Sequence, residues 1–230
     1  MRYITALIIM VLFSSTSYSQ TYEIGIMAGG ANYIGDVGST SYISPNKFAF
    51  GGIAKWNRSN RHSFRASLLY TSLSADDADA DDSRRNQRGY EFENSILEGS
   101  LGLEYTFWGW NLHNYKPQFV PYLYTGITGF LSNEMALDRN NEISERKRKI
   151  DFAIPMVLGV KWTFDTHFVF GFEVGARYTF TDNLDGSSPE EFDGGENLPS
   201  FGNPNTNDWY MFTGFTITYT FGRKPCYCNF

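Results

Sequence analysis

From Phe168 to Phe180 the chain alternates strictly between two kinds of side chain. Phe168, Phe170, Phe172, Val174, Ala176, Tyr178 and Phe180 form one set, and Val169, Gly171, Glu173, Gly175, Arg177 and Thr179 form the other. A period of two places successive side chains on opposite faces of a pleat, so the stretch predicts a β-strand with a bulky apolar face and a small, polar face. A closed eight-stranded barrel has an interior just wide enough for side chains. The small, polar set therefore fits inside, and the aromatic set faces outward. An outward wall of that kind suits lipid, which predicts an outer-membrane-type strand.

Seven further segments carry the same alternation, giving eight near 22–33, 48–57, 62–73, 91–107, 119–131, 151–164, 168–180 and 208–221. Each reaches the roughly 9–11 residues that a tilted strand needs to cross a bilayer. In the sixth, Phe152, Ile154, Met156, Leu158, Val160, Trp162 and Phe164 share a face. In the fifth, Tyr122 and Tyr124 alternate with Leu123, Thr125 and Ile127, and the pattern leaves open which face is outer. The connections run 14, 4, 17, 11, 19, 3 and 27 residues. Such barrels pair short periplasmic turns with long extracellular loops. Both termini are then expected in the periplasm, with 34–47, 74–90, 132–150 and 181–207 outside. Trp56, Trp108, Trp110 and Trp162 fall at the expected periplasmic ends and Trp209 at the opposite rim, where an indole finds both apolar and polar surroundings.

Composition adds the compartment. Met1-Arg2, an apolar Ile4–Phe13 and the small residues Ser17 and Ser19 predict a signal peptide over 1–19, cleaved before Gln20. The barrel is expected over 20–221, followed by a periplasmic tail at 222–230. Beyond Gln20 no apolar run approaches the roughly 18 residues of a spanning helix. A mean hydropathy of −0.34 with 17% aromatics suits a barrel, in which alternate residues face lipid. After loss of Arg2 the chain has 18 basic and 25 acidic residues, a net charge near −7 that gives no expectation of nucleic acid.

The alternation sends Glu23, Glu98, Glu104 and Glu173 inward against Lys55, Arg65, Lys161 and Arg177. Confined charges need partners. The set reads either as a packed ion-pair network that closes the lumen or as an ion or proton path. His62, His113 and His167 all fall on short turns without a metal-ligand spacing. No G-x-S-x-G motif occurs. Loop 74–90 carries Asp77, Asp79 and Asp81, candidate calcium ligands, with internal pairing to Arg84, Arg85 and Arg88 as the alternative. Asp182-Asn183-Leu184-Asp185-Gly186 is a second closely spaced acidic run. Neither has the EF-hand register. Cys226 and Cys228 are the only cysteines, one residue apart on the tail. Mutual bridging at that spacing is strained, and two ligands do not complete a zinc site. In an oxidising periplasm they point to a disulfide with another chain. Arg58, Arg61, Lys116, Arg223 and Lys224 form a basic rim at the same end.

Several motifs resemble one family. They are Gly30-Ala-Asn-Tyr-Ile-Gly-Asp36, Ser44-Pro-Asn-Lys47, WNRSNRHSFRASLLYTSLSADDADADD, ARYTFTDNLDG, FGNPNTNDWY and the ending TYTFGRKPCYCNF. Together they are similar to the PorG outer-membrane barrels of the type IX secretion system in Bacteroidota. The resemblance spans nearly all of the chain after Gln20. It implies an eight-stranded barrel that associates with a periplasmic ring of the lipoprotein PorK and its partner PorN, within an apparatus for secretion and gliding. The expected role is a non-enzymatic outer-membrane component that anchors or positions that ring. Its expected partners are the ring proteins and outer-membrane lipid, with no cofactor and no small-molecule substrate. A small pore or transporter, and a barrel enzyme acting on lipid or peptide, are the rival readings.

Overall fold

The computed structural model describes residues 21–222, apart from 115, 139–141, 166, 190–198 and 204. The expected signal peptide and both cysteines therefore lie outside the described residues.

Eight antiparallel strands follow one another around a closed barrel: β1 (Thr21–Ile34), β2 (Lys47–Asn57), β3 (His62–Asp76), β4 (Glu91–Thr106), β5 (Phe119–Leu137), β6 (Ile143–Thr163), β7 (Phe168–Thr179) and β8 (Trp209–Phe221). Closure is by β1 on β8, in register from Tyr22↔Phe221 to Ile34↔Trp209. Every strand then has two neighbours, so no row of backbone N–H and C=O groups faces an apolar solvent. Neighbour-to-neighbour topology needs nothing more than the short turns and long loops read from the chain.

Burial follows the period of two. In β7 every odd residue from Val169 to Thr179 is buried, and Phe168 through Tyr178 are exposed or half-exposed. Aromatic pairs knit adjacent strands on the outer surface, including Phe172–Phe215 with ring centroids 5.1 Å apart and Tyr178–Trp209 at 4.9 Å. This apolar outer wall around a closed lumen is the outer-membrane type of barrel.

The structure decides the open face of β5. Val120, Tyr122, Tyr124, Thr128 and Phe130 point inward, while Phe119, Leu123 and Ile127 are exposed. Size alone does not sort this strand, because its tyrosine hydroxyls have partners in the lumen.

Three other expectations change. β5 and β6 continue well beyond 131 and before 151, so much of the expected loop 132–150 is a two-stranded arm above the barrel. Its ladder shifts register between Asn133 and Met135. Loop 74–90 holds a 3-10 turn (Asp77–Asp79) and a short helix, α1 (Ser83–Arg88). Asp82 caps α1 by accepting from the Arg84 N–H, and Gly89 ends it at φ +68, a left-handed conformation that suits glycine. Trp110 does not sit at the membrane interface as expected. It is 3% exposed, tucked under the lumen with Leu112, Val120 and Val169. The connection between β4 and β5 turns inward there, with the Trp110 N–H donating to Asn60 O at 2.8 Å.

Candidate functional site

The lumen is the place where chemistry-bearing side chains converge, and it is filled from end to end. At the short-turn end, the Lys161 ammonium lies 4.7 Å from the Trp110 ring centroid, a cation–π contact that closes the floor.

Above that floor lies the ionic layer, contributed by six strands. Glu104 on β4 takes two lysines, Lys161 at 2.6 Å and Lys55 at 2.7 Å. Arg65 on β3 makes a two-pronged bond to Glu173 on β7, at 2.7 and 2.8 Å. Arg177 on β7 reaches Glu98 on β4 at 3.1 and 3.2 Å. The fork geometry is what allows an arginine to satisfy both carboxylate oxygens across a lumen.

All eight predicted lumen residues are buried together, but the expected pairing of four acids with four bases is not one-to-one. Among the described residues, Glu23 has no lysine or arginine at salt-bridge distance. It accepts from Asn57 Nδ2 at 2.8 Å and Thr218 Oγ1 at 2.6 Å. One carboxylate is shared by two lysines, and another is held by neutral donors.

Sequence reasoning missed the tyrosines of this layer. The Tyr122 hydroxyl donates to Glu173 at 2.7 Å, and the Tyr210 hydroxyl donates to Glu98 at 2.8 Å. Tyr124 lies under the Arg65 guanidinium, 4.5 Å away, with its hydroxyl 2.7 Å from Ser100 Oγ. Gly159 makes room for this arrangement, since a Cβ there would overlap the Tyr122 ring. A tyrosine set opposite inward glycines was the signal available in the chain.

Toward the long loops the lumen changes character. Met27, Leu69, Ile96, Phe130 and Phe212 fill it from the strands, and Val37 and Leu184 plug it from the loops. The expected small, polar lining thus holds for the turn half alone. Large apolar side chains fit in the other half because they meet at the axis as one cluster.

The loops form a crown over that plug. Asp77 is buried and held by Arg88 at 2.7 Å and by the N–H groups of Gly38 and Tyr90 at 2.9 and 3.0 Å. Burial alone would raise its pKa, but these donors outweigh it and hold the carboxyl below the usual aspartate range. Asp79 and Asp81 are exposed, so the three proposed calcium ligands do not converge. Of the three arginines considered as partners, Arg88 takes Asp77, Arg84 pairs with Asp82 and Arg85 donates to Gly38 O. Asp36, Asp182, Asp185 and Asp208 make a second acidic group, which the sequence showed only as an isolated run in 182–186. Burial, then Asp36 and Asp185, push the Asp182 carboxyl up to about 6. Burial likewise raises Asp185 and Asp208. Among the described residues no three His, Cys, Asp or Glu side chains are placed to hold a metal ion.

At the opposite end, Arg58, Arg61 and Lys116 are exposed on the short turns, on the rim where the chain leaves β8 at Gly222. Arg223, Lys224, Cys226 and Cys228 lie outside the described residues. His62 and Ser59 touch in the same rim, Nδ1 to Oγ at 3.2 Å, but that oxygen also accepts the Arg61 and His62 N–H groups and closes the turn.

Residues 2–230 match the family model described as "Domain of unknown function (DUF6089)". No curated protein sequence matches the chain. Among solved structures, the chain is similar to Ail, the attachment invasion locus protein of Yersinia pestis, in complex with the heparin analogue sucrose octasulfate. The identity is 10%, the TM-score 0.47, and the match covers 88% of this chain and 99% of that one. Neisserial surface protein A is similar at 10% identity and TM-score 0.46, over 89% and 98% of the two chains. The outer membrane protein OprG from Pseudomonas aeruginosa is similar at 11% identity and TM-score 0.45, over 88% and 95%.

Proposed function

We propose that this chain, which belongs to the DUF6089 family, is a non-enzymatic outer-membrane barrel that anchors a periplasmic ring of the type IX secretion system. Its long loops face outside, and its short turns, basic rim and tail face the periplasm. The observation that carries this reading is the filled lumen. A Trp110 floor, an ionic layer and an apolar plug lie one above another along the axis. That filling favours a scaffold over a conduit. The resemblance to PorG barrels supplies the pathway and the PorK and PorN type of partner.

In this reading the tail is the coupling device. Arg58, Arg61 and Lys116 are exposed at the end where the tail begins, and with Arg223 and Lys224 they would steer an acidic partner toward Cys226 and Cys228. A disulfide to the ring lipoprotein would then hold the ring against the membrane without a large interface.

Pull-down of the tagged barrel from membranes under non-reducing conditions tests the proposal. The expected outcome is recovery of PorK- and PorN-type proteins, in a high band that collapses with reductant and is lost in a Cys226→Ser/Cys228→Ser variant. If that variant keeps the full complex and normal secretion, the disulfide is dispensable. If no ring protein is recovered with the wild type, the anchoring role falls. Large, long-lived single-channel currents from the purified barrel would favour the pore instead.

A further inference from the structure

The outermost stretch of β6 carries a run of exposed cations. Its lipid-facing row runs from Trp162 through Met156 and Phe152 to Ile150, which is 62% exposed, and the next residue of the row is Arg148. Just beyond, the ladder shifts: Asn133 faces Arg148 and Met135 faces Glu145, so Arg146 and Lys147 together oppose the single residue Glu134. An extra residue in one strand kinks and twists it. Here Arg146, Lys147 and Arg148 are three consecutive exposed cations.

The other described basic residues at this end have local partners. Lys47 pairs with Glu93, Arg84 with Asp82, Arg88 with Asp77 and Lys149 with Asp151, and Arg85 donates to Gly38 O. Arg146, Lys147 and Arg148 make no ion pair among the described residues, and the one acid beside them on the strand is Glu145. On the neighbouring strand the outward Leu131 and Asn133 are neutral, and Glu134, opposite Arg146 and Lys147, is buried and accepts from Asn183 Nδ2 at 3.4 Å.

Depth decides what those cations meet. Trp162 to Ile150 is twelve steps of about 3.3 Å, which at a tilt of about 40° rises roughly 30 Å. That spans the apolar band and its interfacial edges, so Arg148 stands just above the hydrocarbon boundary, at the height of lipid headgroups. We infer that the Arg146–Arg148 arm is a docking surface for the phosphate groups of the phosphorylated glycolipid of the outer leaflet. The inference rests on the proposed orientation, with the long loops outside. Arginine forks suit phosphate oxygens, and the adjoining Ile150 and Phe152 surface receives the acyl chains.

The test uses the full mature barrel refolded in zwitterionic detergent, with retained lipid read by native mass spectrometry. The probes are lipid A with both phosphates, dephosphorylated lipid A, phosphatidylglycerol and inorganic phosphate. Bisphosphorylated lipid A is expected to bind best. Each cation near the surface contributes about fivefold, so an Arg146→Gln/Lys147→Gln/Arg148→Gln variant loses on the order of a hundredfold. A variant that exchanges Arg and Lys at these positions keeps most of the binding, and Lys47→Gln leaves it unchanged. Heat-dependent gel mobility shows that each variant is folded. Equal binding of dephosphorylated lipid A, of phosphatidylglycerol or by the triple Gln variant overturns the inference, as does inorganic phosphate competing at the concentration of the lipid. Orientation is checked apart from this, by protease access to a site placed in the 35–46 loop of intact cells. A periplasmic result there removes the outward reading and leaves the micelle result standing as a phosphate-docking arm.

Discussion

The two halves of the lumen are built on opposite principles. Toward the short turns, buried charges are matched: two arginines fork onto two carboxylates, and Glu104 sits between two lysines. Toward the long loops, the strands bury Met27, Leu69, Ile96, Phe130 and Phe212, and the acids above them crowd one another. The first half is held by directional bonds across the barrel, so it sets which strands face which. The second is held by shape and burial, which contribute stability without specifying a partner. A lumen closed by both means suits a rigid anchor.

The largest effect is expected from breaking the ionic half. Glu104→Gln leaves Lys55 and Lys161 buried without a carboxylate, and removing one partner of a buried charge set costs about 3–5 kcal/mol. Urea unfolding of the barrel in vesicles measures it. A loss under about 1 kcal/mol would mean that these lysines are solvated and that the matched-charge account is wrong.

Next comes the apolar half. Leu184 is buried in the plug from a loop, so Leu184→Ala should cost about 2–3 kcal/mol, near the low end for buried leucine because a loop can partly collapse into the gap. An unchanged midpoint would show that the loop does not close the lumen. The pair Glu104→Gln and Leu184→Ala, in different layers, should add if the halves are independent.

The smallest effect separates the crown's two acidic groups by pH. Asp77 has a depressed pKa, so the hold it gives loop 74–90 is present above the unfolded aspartate value of about 4 and is lost as pH falls below it. Asp182 has a raised pKa of about 6. The folded state then binds the extra proton, so its contribution is present below about 4 and is lost as pH rises through about 6. Amide exchange corrected for intrinsic rate should therefore slow near Tyr90 as pH rises toward about 4 and stay level above it, and quicken near Leu184 as pH rises from about 4 through about 6. Asp182→Asn should flatten the second trend and leave the first. Parallel trends in both loops would refute the contrast.

The chain by itself determined the barrel, the number of strands, their order and the inward set of eight charges. Alternation of large apolar with small polar residues is a local signal, and antiparallel neighbours follow from connection lengths. Phe172 against Glu173, or Leu158 against Lys161, can be sorted without knowing any other strand. What tertiary structure decided was everything that depends on residues meeting across the lumen. The face of β5 turned on Tyr122 and Tyr124 finding Glu173 and Ser100 on other strands. Trp110 left the interface because a connection folded beneath Lys161. Asp36, Asp182, Asp185 and Asp208 became one group only when three loop ends closed over the plug, which distances in sequence of up to 172 residues conceal. Periodicity reports which way a side chain points, and closure of the barrel decides what it meets there.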